Sequence, residues 1–195
     1  KAARSKSPTS SVREQAVTPY LFTQNRQPKG TFLAVPEVSS ERREYIPIGF
    51  MDENTIPSNK IYMVPDTSLY EFGILTSQIH MDWMRVVAGR LESRYSYSPN
   101  VYHLYPFPDE NENQRKHIAS LAKKILSARQ SEIDKDSSIT LADLYDPNLM
   151  PPALRKAHKA LDKAVDELYR KEPFKTPLER VKHLFELYET KVNQA

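Results

Sequence analysis

Apolar positions along the chain change period twice. After the small, polar, basic opening KAARSKSPTSS (residues 1–11), which reads as a mobile lead-in, the stretch from Thr31 to Phe50 offers short β-rich pieces. These are TFLAV and YIPIGF, separated by the polar break PEVSSERRE, with IYMVP at 61–65 as a further strand ended by Asp66 and Thr67. A three-to-four residue period then takes over: Leu69, Phe72, Leu75, Ile79, Trp83 and Val86 make one apolar stripe, while Gln78, Asp82 and Arg85 fall elsewhere. Ser68 followed by Glu71 fits a capping box, and Gly89 stands where a left-handed C-terminal cap belongs, so the pattern predicts one long helix between them. Beyond Gly89 the period becomes two, with Leu91, Ser93, Tyr95 and Tyr97 on one side and Arg90, Glu92, Arg94, Ser96 and Ser98 on the other. Pro99 and Asn100 interrupt it, and VYHLYPFP reads as a last strand ended by prolines.

From there the grammar is helical. Residues 113–131 carry Ile118, Leu121, Ile125 and Ala128; residues 152–170 carry Leu154, Ala157, Leu161, Val165 and Leu168; residues 178–192 carry Val181, Leu184, Phe185 and Tyr188. A connector with a helical turn at 141–145 lies between the first two. The expected class is α+β: a lead-in over 1–30, a mixed α/β module with one long helix over 31–108, and a small helical bundle over 109–195.

Composition narrows the chemistry. The 195 residues include no cysteine, which excludes disulfides and thiolate metal sites and favours a reducing compartment. The first residue is Lys1 rather than Met, so the chain is expected to belong to a longer protein; no run has the length of a membrane span. A net charge of +3 is too small to argue for nucleic acid by itself. Histidines 80, 103, 117, 158 and 183 show no metal-ligand spacing, and His80, near the apolar stripe, reads as a core histidine. Glycines 30, 49, 73 and 89 make no phosphate loop, and no nucleophile elbow is present. Carboxylates interleave with lysines, as in LDKAVDE, and read as solvated ion-paired faces. No catalytic residue and no metal ligand is assigned.

Two dense polar stretches remain, SSERRE at 39–44 and RLESRYSYSPN at 90–100. Arginine's fork matches phosphates and guanine edges, with Asn, Ser and Tyr adding shorter contacts. The same residues admit a purely structural reading, in which Tyr95 and Tyr97 are core and Arg90 and Arg94 pair with Glu92 or a helix end.

Four blocks in order, YIPIGF, FGILTSQIHMDWMRVVAGRLESRYSYSPNVYHLYPFP, LADLYDPNLMPPALRKAHKALDKAVDELY and ERVKHLFELYE, resemble the C-terminal part of the MmeI-like DNA methyltransferases and restriction-modification enzymes, from about Tyr45 to Glu189. The resemblance implies a target recognition domain followed by a helical C-terminal region. In such enzymes these follow a nuclease and an adenine-N6 methyltransferase domain. The methyltransferase's glycine motif, its Asn/Asp-Pro-Pro-Tyr/Phe motif and the nuclease motif are absent from this sequence, and Asp146-Pro147-Asn148 is no substitute. The fragment is therefore expected to be inactive alone, with S-adenosylmethionine, and magnesium where a nuclease is present, belonging to the parent protein. Where common members carry Asp-Tyr-Arg-Tyr-Ser, this chain has Arg94-Tyr95-Ser96-Tyr97-Ser98, a change expected if the target sequence or phosphate register differs.

The resemblance makes double-stranded DNA and the methyltransferase domain of the same chain the expected partners, in the cytoplasm of a bacterium or archaeon. Arg42, Arg43, Arg90 and Arg94 are the expected phosphate or guanine contacts, joined by Ser96, Tyr97 and Asn100. The helical tail is expected to brace this module or enclose the DNA. The rival reading is a protein-interaction scaffold; a free-standing enzyme would need a pocket of perturbed titrating groups that the spacing does not foretell.

Overall fold

The computed structural model describes residues 2–21 and 26–193. Helices α1 (Ala2–Ser5) and α2 (Ser10–Glu14) open the described chain and bury none of their own residues. Four strands follow: β1 (Phe32–Pro36), β2 (Val38–Ser39), β3 (Gly49–Met51) and β4 (Ile61–Val64). With two small antiparallel sheets leading into helices, the class is α+β. β1 is the middle strand of the first sheet, between β3 and β4. Phe32, Leu33, Ala34 and Val35 are all buried, which is why this strand reads as an unbroken apolar run rather than an alternation.

The segment predicted as one long helix is two, α3 (Leu69–Leu75) and α4 (Gln78–Val87). Ser68 and Glu71 form the reciprocal capping box that starts α3. At Ser77 the backbone turns extended, with ψ 161°, and its hydroxyl donates back to the Ile74 carbonyl at 2.6 Å. The next amide, that of Gln78, would be an orphan of a new helix end; it donates to Oδ1 of Asp162 at 2.8 Å, far along the chain. Thr76 and Ser77 are both fully buried, so the apolar stripe passes the break without a visible interruption. Val86, assigned to that stripe, is 56% exposed.

Gly89 is not a left-handed cap: Ala88 closes the helix with φ -69° and ψ 146°, and Gly89 begins β5 (Gly89–Leu91). The single extended stretch is instead a tight hairpin, β5 and β6 (Arg94–Ser96), turned at Glu92 and Ser93 with Leu91 opposite Arg94. The expected break at Pro99 and Asn100 and residues 101–103 of the expected last strand together form α5 (Pro99–His103), because Pro99 suits the first turn of a helix, where no amide is needed.

The helical half follows the periodicity closely: α6 (Glu112–Lys135), α7 (Leu141–Leu144), α8 (Pro152–Tyr169) and α9 (Pro177–Asn193). α6 packs on α3 and α8, and α9 packs on α4. One apolar cluster consequently runs through both halves, with Tyr45, Phe72 and Trp83 beside Ile118, Leu161 and Leu184. The approach of α3 to α6 is close at Gly73, where a β-carbon would lie 2.7 Å from Cγ2 of Ile118.

A buried polar chain ties the halves together. Arg129, 4% exposed, donates through Nη1 to the Ile48 carbonyl at 2.7 Å and through Nε to the Tyr145 hydroxyl oxygen at 2.8 Å. That leaves the Tyr145 proton for His158 Nε2, 2.8 Å away, and so places the imidazole proton on Nδ1. The His158 ring stacks on Tyr45 at 3.9 Å, and the Tyr45 hydroxyl donates to Oδ2 of Asp162 at 2.7 Å.

Candidate functional site

The second sheet has the order β2-β6-β5. Val38 and Ser39 pair with Ser96 and Tyr95, so the chain leaving β2 runs out beside the Arg94 end of the hairpin. This topology brings the two polar stretches, 39–44 and 90–100, to one end of one small sheet.

Register sorts the candidate residues by face. Arg90 stands opposite Tyr95, and its guanidinium lies 4.0 Å from the centre of that ring, with Nη1 donating to the Ser93 carbonyl at 3.2 Å. Arg94 and Ser96, at alternate positions from Tyr95, share the other face. The tight turn thus inverts the expected phase: Leu91, expected to pack, is 47% exposed on the face of Arg94. Arg94 is ion-paired with Glu92 at 2.8 Å, both side chains largely exposed. Glu92 itself sits at φ 58°, in the left-handed region that costs an ordinary side chain about 1 kcal/mol or more.

Arg42 is exposed, and its amide is held by the Ser40 hydroxyl at 3.3 Å. Arg43 is half-buried and leans on α7, with Nη2 3.5 Å from the Ala142 carbonyl. Asn100 is exposed in the first turn of α5. Tyr97 is different: it is 4% exposed, with its hydroxyl 3.1 Å from Nε2 of His80, so it anchors the strand from inside the core. His80 is fully buried, and burial pulls its pKa down to about 4. It is a core histidine, as its position in the apolar stripe predicts.

Arg42, Arg90, Arg94 and Asn100 are thus exposed around a rigid frame: Tyr95 and Tyr97 hold the hairpin down, Arg90 lies over the Tyr95 ring on that face and Arg94 stands on the opposite one. Guanidinium forks bind planar oxyanions and hydrogen-bond acceptors by paired N–H donors. Among the described residues no cluster of three or more His, Asp or Glu side chains could hold a metal ion, and no helix is long and apolar enough to cross a membrane.

In LDKAVDE the aspartates are not solvated partners of the neighbouring lysine. Asp162 is buried against Tyr45 and the Gln78 amide, and its pKa is pushed up to about 6 chiefly by burial; Asp166 is held by Arg180 of α9 at 2.8 Å. The spacing held a signal for this, since Asp162 falls four residues after His158 and three before Val165, both buried.

Residues 1–109 match the family described as the MmeI target recognition domain, and residues 110–194 match the MmeI C-terminal domain. DNA methyltransferase A of Bacillus subtilis (strain 168) is 37% identical over 187 residues, covering 95% of this chain and 21% of that protein. The solved structure of the type IIL restriction-modification enzyme MmeI in complex with DNA superposes with a TM-score of 0.86 at 44% identity, over 97% of this chain and 25% of that one. The chain thus spans about a fifth to a quarter of the length of these relatives. With both of its halves matched, the chain belongs to the MmeI family, as a target recognition domain followed by the C-terminal domain.

Proposed function

We propose that this chain reads duplex DNA for an S-adenosylmethionine-dependent adenine-N6 DNA methyltransferase and positions the target adenine for a catalytic domain elsewhere in the same protein. The observation that carries the reading is the likeness, at 44% identity over 97% of the chain, to an enzyme solved with DNA, joined to an arginine-bearing hairpin held on a rigid core. Arg42, Arg90 and Arg94 are the phosphate or guanine contacts; Arg43, Ser96 and Asn100 contribute shorter ones. Tyr97 acts from behind by fixing the strand. The Arg94–Glu92 pair is exposed and worth only ~0–1 kcal/mol, so Arg94 exchanges it readily for a phosphate or a base edge. Base contacts of this kind discriminate by ~1–3 kcal/mol each, and a few suffice for specificity.

S-adenosylmethionine does not fit these residues. Gly30 lies in an exposed turn, Gly49 in a strand, Gly73 in the middle of a helix and Gly89 in the hairpin, and none opens a helix at the end of a strand. The cofactor belongs to the methyltransferase domain. The test is selection of duplexes from a random pool by the full-length protein, followed by anisotropy at several salt concentrations. R90A/R94A is expected to weaken binding and blur the selected motif while cofactor affinity stays unchanged. If affinity, salt slope and motif are all unaltered, the arginine hairpin is not the reading surface; no binding even at low salt favours a partner-docking module.

A further inference from the structure

The helix that reads as charge-balanced is not balanced at its surface. Both aspartates of α8 are turned inward, Asp162 to Tyr45 and the Gln78 amide, Asp166 to Arg180. Lys156, Lys159 and Lys163 are all exposed and, at 3.6 residues per turn, fall within about 60° of one another on the outward face. The outward carboxylate of the helix is Glu167, 3.9 Å from Lys163. Among the described residues, Lys156 and Lys171 have no ion-pair partner.

This strip is continuous with the arginine loop. Arg155 and Lys159 both bind Glu44, at 2.6 and 2.5 Å, immediately after Arg42 and Arg43. At the other end Lys163 and Lys171 line a cleft of about 450 Å3 between α8 and α9. From Lys156 to the end of α8 is ~20 Å of helix at 1.5 Å per residue, the axial span of about six base pairs.

We propose that the outward face of α8 is a second contact strip for the sugar-phosphate backbone, gripping duplex beside the segment that the arginine hairpin reads. It rests on the DNA-reading function proposed above. The cations are flexible lysines, without the fork that selects a base edge, so the strip supplies affinity and register, not sequence.

The experiment compares K156Q/K163Q/K171Q with R90A/R94A in the full-length protein, on a duplex containing the selected motif and on an unrelated one, from low to high salt. Loss of up to three phosphate contacts lowers the slope of log K against log salt by up to ~2.7 and affinity at moderate salt by at least about ten-fold. The expected loss is equal on both duplexes, with the motif unchanged, hydroxyl-radical protection shortened by about six base pairs on one side, and recovery in the triple Lys→Arg variant. If the lysine variant keeps the parental slope while R90A/R94A lowers it, the strip is not a DNA contact and the reading of the hairpin stands. If the lysine variant changes the motif, it reads bases and the proposal is wrong. If neither variant alters the slope, both placements of the DNA surface are wrong; if the full-length protein binds neither duplex even at low salt, the DNA-reading function itself fails.

Discussion

Gly73 sets how closely the recognition half and the helical half can approach. A methyl group placed there would lie 2.7 Å from Cγ2 of Ile118, against an ordinary carbon–carbon contact of ~3.5–4.0 Å. Ile118 is fully buried, so it cannot swing into solvent; either its rotamer is forced or α3 and α6 part by several tenths of an ångström. Overpacking of this size costs ~1–3 kcal/mol, while alanine returns ~1 kcal/mol of helix propensity. Gly73→Ala is therefore expected to destabilise by up to ~2 kcal/mol, a drop of up to about 8 °C in melting temperature for a chain this long. The decisive form is a double-mutant cycle. Ile118→Ala alone should cost ~2–5 kcal/mol, but it removes the atom that obstructs the new methyl. The remaining neighbours, Ala122 Cβ at 3.4 Å and Leu161 Cδ1 at 3.5 Å, are near ordinary contact. In that background Gly73→Ala should become stabilising by up to ~1 kcal/mol, because only the helix-propensity gain survives. Urea denaturation of the four proteins measures it. If Gly73→Ala carries the same sign with and without Ile118, steric contact at this crossing does not explain the glycine.

Other outcomes follow from groups already placed. Burial lowers His80 to about 4 and His158 to about 3, so their contribution is full above the unfolded value near 6.5 and is lost as pH falls below it; Asp162, raised to about 6, works in the opposite sense. The balance predicts a net loss of roughly 2–3 kcal/mol between pH 7 and pH 5, and equal urea midpoints at the two pH values would refute it. Tyr45→Phe removes a donor from the Asp162 carboxylate and should cost ~1–3 kcal/mol at pH 7.5 but less at pH 5, where the carboxyl is protonated; a cost independent of pH would contradict this. Glu92→Asn places at φ 58° a residue that tolerates that conformation, and should raise stability by ~0.5 kcal/mol, read by thermal melting; a lower melting temperature would count against strain in the turn.

The elements legible in the sequence are those whose causes are local. The stripes of Ile118, Leu121 and Ile125 on α6 and of Leu154, Leu161 and Val165 on α8 announce their own burial, and Ser68 with Glu71 marks a helix start from four residues. What escaped has causes at a distance or against propensity. The break at Ser77 depends on a carboxylate 84 residues away from Gln78, and the hairpin turns on a glutamate where asparagine or glycine would have signalled it. At the candidate site, Arg42, Arg90, Arg94 and Asn100 emerge exposed, whereas Tyr97, which the sequence offers both as a polar contact and as core, is core. The alternation places Tyr95 and Tyr97 correctly after the turn and fails at Leu91 before it, because a two-residue turn reverses the chain without marking the sequence as a break.

The bond from the Gln78 amide to Asp162 also bears on modular exchange between relatives. The amide that opens α4 in the recognition half is satisfied by a side chain of the C-terminal half, so neither half holds a complete set of instructions for that helix. A chimera joined between residues 109 and 110 leaves the helix dependent on the recipient chain for the acceptor that begins it. Swaps of specificity in this architecture would have to carry the 162 position, and its Tyr45 partner, as part of the graft.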